Sequence, residues 1–331
     1  MKNRDMEKQR DSKNIFVLGC GRWGSFIGWY LDNIGHKVKL YGRENSNNMK
    51  RFMETRRNDY IVLPESILLT TDLEDIKDAD YVVVSVNSQN LNEVLSEVNK
   101  LEVKNKIFIL CMKGIEIETG KRLSQVAEEN LDKSNKIAVW LGPGHVQEFY
   151  RGVPNCMVID SKEDAVINEI INNISSNLIR FYYGTDLIGN EIGAAAKNVI
   201  GIAAGMLDGF DLSSLKGALM ARGTMEISRL ITAMGGKPGT VYGLCHLGDY
   251  EATLFSDHSQ NLTFGRRFVT KEPYEKLAEG YYTVKALKKL GEKYYVVLPI
   301  TEAVYRILYE NKDPKKELDK LFQRSLKDEF I

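Results

Sequence analysis

The feature that most constrains the fold is the run IFVLGCGRWGSFIGWYLDNIGHKVKLYGR, residues 15–43. A short apolar strand runs into three glycines spaced GxGxxG (Gly19, Gly21, Gly24). A helical pattern follows, Gly35 stops it, and KVKLY reads as a second strand. In that order Gly19 permits a tight turn, Gly21 lets the backbone approach a pyrophosphate, and Gly24 lets the helix pack on the strand. The free N–H groups of the helix's first turn then face the phosphates. The spacing alone is a weak signal; its place between strand and helix near the start of the chain is what points to a bound dinucleotide.

Further short apolar runs follow, YVVVSV at 81–86, IFIL at 107–110, IAVWL at 137–141 and CMVI at 156–159, with helix-length segments between them. Such alternation predicts a parallel sheet covered on both faces, and SSNLIRFYY at 175–183 reads as a last strand. From Asp186 on, β-branched runs become rare and the apolar spacing turns helical: Leu219, Ile227, Leu230 and Ile231 in one segment, Ile300, Val304, Ile307 and Leu308 in another. Pro299 suits the first turn of the latter helix. With 331 residues the chain exceeds a single core. The expected fold is α/β: a polar tail over 1–13, a Rossmann-type, doubly wound, mostly parallel sheet over 14–185, and an all-helical domain over 186–331.

Forty-five basic residues balance 45 acidic ones, which argues against a large single-sign field for nucleic acid or an anionic membrane. Cys20, Cys111, Cys156 and Cys245 form no CxxC pair, and the four histidines show no HxxxH or HExxH spacing, so neither a disulfide framework nor a zinc site is expected. The wholly polar start and the lack of a long uncharged run predict a cytoplasmic chain without membrane insertion.

Dinucleotide sites for NAD usually carry an acidic residue at the end of the second strand. Here the strand ends Leu40-Tyr41-Gly42-Arg43, then Glu44. Arg43 is placed to hold a 2′-phosphate or to lie against the adenine, or is a solvated arginine; Glu44 keeps NAD open. The residues lean to NADP(H) over NAD(H).

EIGAAAKNVIGIAAG, Glu191 to Gly205, sets Lys197 among alanines and glycines too small to fill space themselves. A lone lysine on an apolar helix can snorkel to water. Beside Gly193, Ala194, Ala195, Ala196 and Gly201, however, another helix or a ligand must come close. An ammonium there is partly desolvated, which lowers its pKa and makes it a better proton donor near neutrality.

EIGAAAKNVIGIAAGMLDG, LCMKGIE at 110–116, WLGPGH at 140–145, ARGTMEISRL at 221–230, GLCHLGDYEAT at 243–253 and AEGYYTVKAL at 278–287 resemble, in order, motifs of the NAD(P)-dependent glycerol-3-phosphate dehydrogenase family. The resemblance runs from Asn14 to about Leu308. It implies hydride transfer between a nicotinamide and C2 of dihydroxyacetone phosphate, giving sn-glycerol 3-phosphate, in a homodimer. It places the proton carrier on Lys197, a second lysine touching cofactor and substrate on Lys113, and the aspartate beside the catalytic amine on Asp249. Thr253, Asn198, Asn261 and Ser259 fall on substrate positions, as do Gly142 and Gly144 in the WLGPGH loop. Arg22, Trp23, Val146 and Glu279 fall on the cofactor. Two bland alternatives stand beside this: Lys113 as a surface cation and Asp249 as a helix cap. His145 and His246, new in their motifs, read as structural or solvated.

Three departures cluster on the substrate side. Ser259-Gln260-Asn261 replaces Ser-Arg-Asn, so Gln260 stands where a guanidinium meets both cofactor and substrate phosphate. Losing such a contact costs about 1.5–3 kcal/mol, or about one to two decades in affinity. Arg266 and Arg267 either substitute for it or form a solvated basic pair. Gly144 stands where serine is common, and FDLSSLKGAL at 210–219 lacks a glycine-and-asparagine turn. Two other readings therefore stay open: a paralogous reductase of another small 2-keto compound, and a dinucleotide sensor without chemistry.

Overall fold

The computed structural model describes residues 11–276 and 278–323. Its contacts divide the chain into two units, residues up to Met112 with Leu123–Thr185, and Lys113–Arg122 with Asp186 onward. A single cut after residue 185 therefore misses the excursion Lys113–Arg122. The physical reason is local. Ile115 is buried in the core of the helical unit, an isolated bridge joins Ile115 to Arg122, and Lys289 Nζ donates to Ile117 O at 2.8 Å. Of the expected tail, residues 1–10 lie outside the described residues. Ser12 Oγ donates to Gly35 O at 2.9 Å and Lys13 N–H to His36 Nδ1 at 3.2 Å, so these two residues are held.

The first unit is built on an eight-stranded sheet of β1 (Asn14–Leu18), β2 (Lys37–Tyr41), β3 (Leu68–Thr70), β4 (Tyr81–Val84), β5 (Ile107–Leu110), β6 (Lys136–Leu141), β7 (Asn155–Ser161) and β8 (Ile179–Tyr183). The order is β3-β2-β1-β4-β5-β6-β7-β8, parallel except for the β6–β7 pair. YVVV and IFIL are buried at every position, as strands covered on both faces must be. The covering helices are α1 (Arg22–Asn33), α2 (Asn47–Thr55), α3 (Leu91–Asn99), α4 (Leu123–Asn130), α5 (Val146–Tyr150) and α6 (Asp164–Ile174). The strand order reverses between β1 and β4, and a crevice for a ligand forms beyond the carboxyl ends of the strands at such a switch point. All four cysteines are free thiols.

The second unit is helical: α7 (Leu187–Gly209), α8 (Lys216–Ala233), α9 (Gln260–Thr270), α10 (Glu279–Lys293), α11 (Pro299–Tyr309) and α12 (Pro314–Phe322). Asp186 caps α7, accepting from Gly189 N–H at 3.0 Å. From Gly189 to Leu207 every residue of α7 is buried, the mark of a helix enclosed on all sides. Its small residues are the reason. A Cβ on Gly205 would stand 2.0 Å from Leu262 O, and one on Gly265 would stand 2.1 Å from Ile202 O, so α7 and α9 meet backbone to backbone. Glu226 on α8, also buried, accepts from Ile300 N–H at 2.7 Å and Thr301 N–H at 3.0 Å. It thereby satisfies the open donors at the start of α11, where Pro299 occupies the first turn as expected. Among the described residues, no helix is long and apolar enough to cross a membrane.

Candidate active site

In the first unit the glycine turn stands at the carboxyl end of β1. Gly19 has a φ of +120°, and a Cβ there would meet Ser85 O at 2.2 Å. A Cβ on Gly24 would meet Gly19 O at 1.9 Å. Both positions exclude any side chain. A Cβ on Gly21, by contrast, would meet nothing within 4 Å. No neighbour in the chain demands that glycine, and the open space lies at the N-cap of α1, where a pyrophosphate would approach the backbone. The residues present therefore fit a dinucleotide.

Around the turn, the Arg22 guanidinium lies over Tyr60, 5.6 Å from the ring centroid. Trp23 packs against Phe26 and Phe149 at centroid distances of 5.3 and 6.2 Å. Arg43 is exposed, its Nη2 3.5 Å from Glu93 Oε1, an ion pair too open to hold it firmly. Gly142 and Gly144 follow β6 with φ of +134° and +138°, and Val146, buried, begins α5. A Cβ on Gly144 would stand 2.3 Å from the Phe149 ring, and its φ of +138° strains any side chain, so a serine does not fit this loop as it stands.

In the second unit Lys197 lies midway along α7, 7% exposed. Its ammonium is 2.9 Å from Asp249 Oδ2 and donates to Thr253 Oγ1 at 2.6 Å. The Thr253 hydroxyl donates onward to Asp249 O at 2.7 Å. Lys113 Nζ reaches the same Asp249 Oδ2 at 2.7 Å, so one carboxylate oxygen accepts from two ammonium groups. Asp249 sits on a 3-10 turn, Leu247–Asp249, and Thr253 on a π-helical turn, Glu251–Phe255, which Lys216 steadies by donating from Nζ to Leu254 O at 2.8 Å. Burial pushes the Lys197 ammonium down to about 8; Asp249 opposes this and Lys113 adds to it. The expectation of a desolvated lysine is met, and Asp249 is an ion-pair partner rather than a helix cap.

Three amides extend the cluster. Gly280 N–H donates to Asn261 Oδ1 at 2.9 Å, Asn261 Nδ2 to Asn198 Oδ1 at 3.0 Å, and Asn198 Nδ2 to Lys113 O at 3.2 Å. This chain of bonds joins α10, α9, α7 and the Lys113 segment, and Glu279 is its neighbour as the first residue of α10. Ser259 caps α9, its hydroxyl accepting from Leu262 N–H at 3.3 Å. Gln260 begins that helix, and the Tyr274 hydroxyl lies 2.9 Å from its Oε1 and 3.0 Å from its backbone O. Arg266 Nη1 is 3.8 Å from Asp257 Oδ1, and Arg267 Nη1 donates to Pro273 O at 3.0 Å. Among the described residues, no group of three or more histidine, cysteine or acidic side chains is placed to hold a metal.

The NAD-dependent glycerol-3-phosphate dehydrogenase N-terminus profile matches residues 14–167, and the corresponding C-terminus profile matches residues 186–319. The chain belongs to the NAD-dependent glycerol-3-phosphate dehydrogenase family. A member from Clostridium botulinum, a glycerol-3-phosphate dehydrogenase named for NAD(P)+, is 35% identical over 334 residues, covering 96% of this chain and 99% of its own. One from a Thermotoga species, of the same name, is 35% identical over 331 residues, covering 96% and 98%. The crystal structure of glycerol-3-phosphate dehydrogenase from Coxiella burnetii superposes with a TM-score of 0.88 at 27% identity, covering 95% of this chain and 99% of that one.

One feature of this family member leaves little mark in its sequence, and one expectation is narrowed. Arg122 and Glu191 form a buried ion pair through Nη1 and Oε2; the signal was Glu191 opening an otherwise apolar helix. His246, read as structural or solvated, is fully buried and bonded on both ring nitrogens, to Gly193 O at 2.9 Å and to the Tyr250 hydroxyl at 2.7 Å.

Proposed function

We propose that this chain is an NAD(P)-dependent glycerol-3-phosphate dehydrogenase that interconverts dihydroxyacetone phosphate and sn-glycerol 3-phosphate. The observation that carries the reading is the buried Lys197 ammonium, tuned to about 8 and aligned by Asp249 and Thr253. A ketone that takes up hydride at carbon needs one proton at oxygen, and a donor with a pKa near the working pH serves both directions.

A bound nicotinamide supplies or accepts the hydride at C2. Lys197 gives its proton to the C2 oxygen in reduction and removes it in oxidation. Lys113 places a second positive charge where negative charge grows on that oxygen. Asp249, accepting from both, keeps two like charges together and fixes their direction. Thr253, Asn198 and Asn261 offer hydrogen bonds to substrate oxygens, with the backbone at Gly142 and Gly144 and the Ser259–Gln260 cap as further contacts. The glycine turn, with Arg22, Trp23, Arg43, Val146 and Glu279, holds the cofactor. The chain acts in the cytoplasm as a homodimer, readings supported by four free thiols and by family resemblance respectively.

Gln260 favours one second reading, a small 2-keto substrate without phosphate, because a neutral amide replaces a bidentate cation. Steady-state NAD(P)H oxidation decides between them. We expect kcat/KM for dihydroxyacetone phosphate to exceed that for unphosphorylated dihydroxyacetone and for other 2-keto acids. Equal values would put the second reading in its place.

A further inference from the structure

We propose that His246 is a positioning residue: its imidazole, held as the Nδ1–H tautomer, ties the turn bearing Asp249 to the carbonyl of Gly193, one helical turn before Lys197. The inference rests on the reading of Lys197 as proton carrier.

The tautomer follows from the partners. Gly193 O can only accept, so Nδ1, 2.9 Å away, carries the hydrogen. Nε2 is then a lone pair, and it accepts from the Tyr250 hydroxyl at 2.7 Å. Burial pushes the ring's pKa down to about 4, so the imidazole adds no third positive charge beside Lys113 and Lys197, whose shared counter-ion is Asp249.

The position follows from the helix. In α7 the carbonyl of Gly193 also accepts the backbone N–H of Lys197, four residues on, so ring and lysine meet at one oxygen. The approach is close: a Cβ on Gly193 would stand 3.0 Å from His246 Cβ. On its other side His246 O accepts from Asp249 N–H at 3.0 Å. The residue thus grips the lysine's helix with its ring and the aspartate's turn with its backbone. The Asp249–Lys197 spacing is set between the two.

The test compares His246→Phe, which keeps a planar apolar ring without the bonds, with His246→Asn, whose amide N–H stands near the Nδ1 position. We expect His246→Phe to lower kcat about tenfold to a hundredfold, as a small misplacement of reacting groups does, with NAD(P)H affinity unchanged. His246→Asn should recover most of the loss although its melting temperature falls as far. Wild-type kcat in His246→Phe, or equal loss in both folded variants, overturns the proposal. Should neither variant fold, nitrogen NMR of the wild-type imidazole decides: a neutral Nδ1–H ring supports it, and an Nε2–H ring or an imidazolium at neutral pH overturns it. Turnover retained in Lys197→Ala would remove the reaction reading itself. Turnover lost there but kept in His246→Phe would remove only the positioning role.

Discussion

The glycine turn of the first unit offers mostly backbone, whereas the cluster around Lys197 brings together three charged side chains from three separate segments. The turn works by what is missing. A single atom added at Gly19 or Gly24 collides with a carbonyl, whereas one added at Gly21 meets only open space. The cluster works by what is enclosed: one carboxylate oxygen holds two ammonium groups together, so removing Asp249 would leave two like charges facing each other with no counter-ion. On the proposed reading, cofactor binding by backbone would be a local property of six residues, and proton transfer a property of the packed unit.

That contrast predicts separable defects. Lys197→Ala should reduce turnover by about 10²–10⁴-fold, the usual worth of a positioned acid, with the dissociation constant for NAD(P)H unchanged in calorimetry; a parallel loss of cofactor affinity would break the distinction. Gly24→Val should do the reverse. Overpacking costs about 1–3 kcal/mol of stability and displaces the Gly19 carbonyl, so cofactor affinity should fall while the pH at which Lys197 titrates stays put.

The pH profile sharpens the same point. With Lys197 at about 8, kcat/KM for ketone reduction should fall above that pH as the proton is lost, and the rate of alcohol oxidation should rise through it. For folding the sign is opposite to that of a paired surface lysine. The folded value is about 8 against 10.5 for the free side chain, so between the two the unfolded chain binds more protons and stability from this group rises with pH across that window. Absence of an inflection in kcat/KM between pH 7 and 9, in Lys197-containing enzyme, would count against the assignment. The smallest expected effect is in Gln260→Arg, which should lower KM for dihydroxyacetone phosphate about tenfold by restoring a charge-assisted contact and leave unphosphorylated ketones alone.

Much of the first unit was legible because most of its strands carry their own signal: KVKLY became β2 and IFIL became β5 without adjustment. β3 escaped notice because Leu68-Leu69-Thr70 is three residues long and partly exposed. The antiparallel step at β7 left no trace in local pattern, since CMVI reads alike in either direction. In the second unit the small residues around Lys197 announced a close neighbour, and Gly205 and Gly265 show how close. What spacing could not convey is partnership across the chain. Lys113 and Asp249 are 136 positions apart, and Lys113–Arg122 joins the helical unit through the burial of Ile115, the ion pairs of Lys113 with Asp249 and Arg122 with Glu191, and the bond from Lys289 to Ile117. His246, which the sequence leaves as structural or solvated, is structural; its partners were not legible because one histidine in a motif carries no mark of which atoms will face it.

Where Gly205 and Gly265 bring α7 and α9 together, main chain rests on main chain with no intervening side-chain layer to yield. The two helices consequently behave as a single rigid bracket, and Gln260 and Asn261 at the tip of α9 hold a fixed address with respect to Lys197. If those residues meet the substrate as proposed, exchanging a side chain at that address would change what is recognised without displacing Lys197.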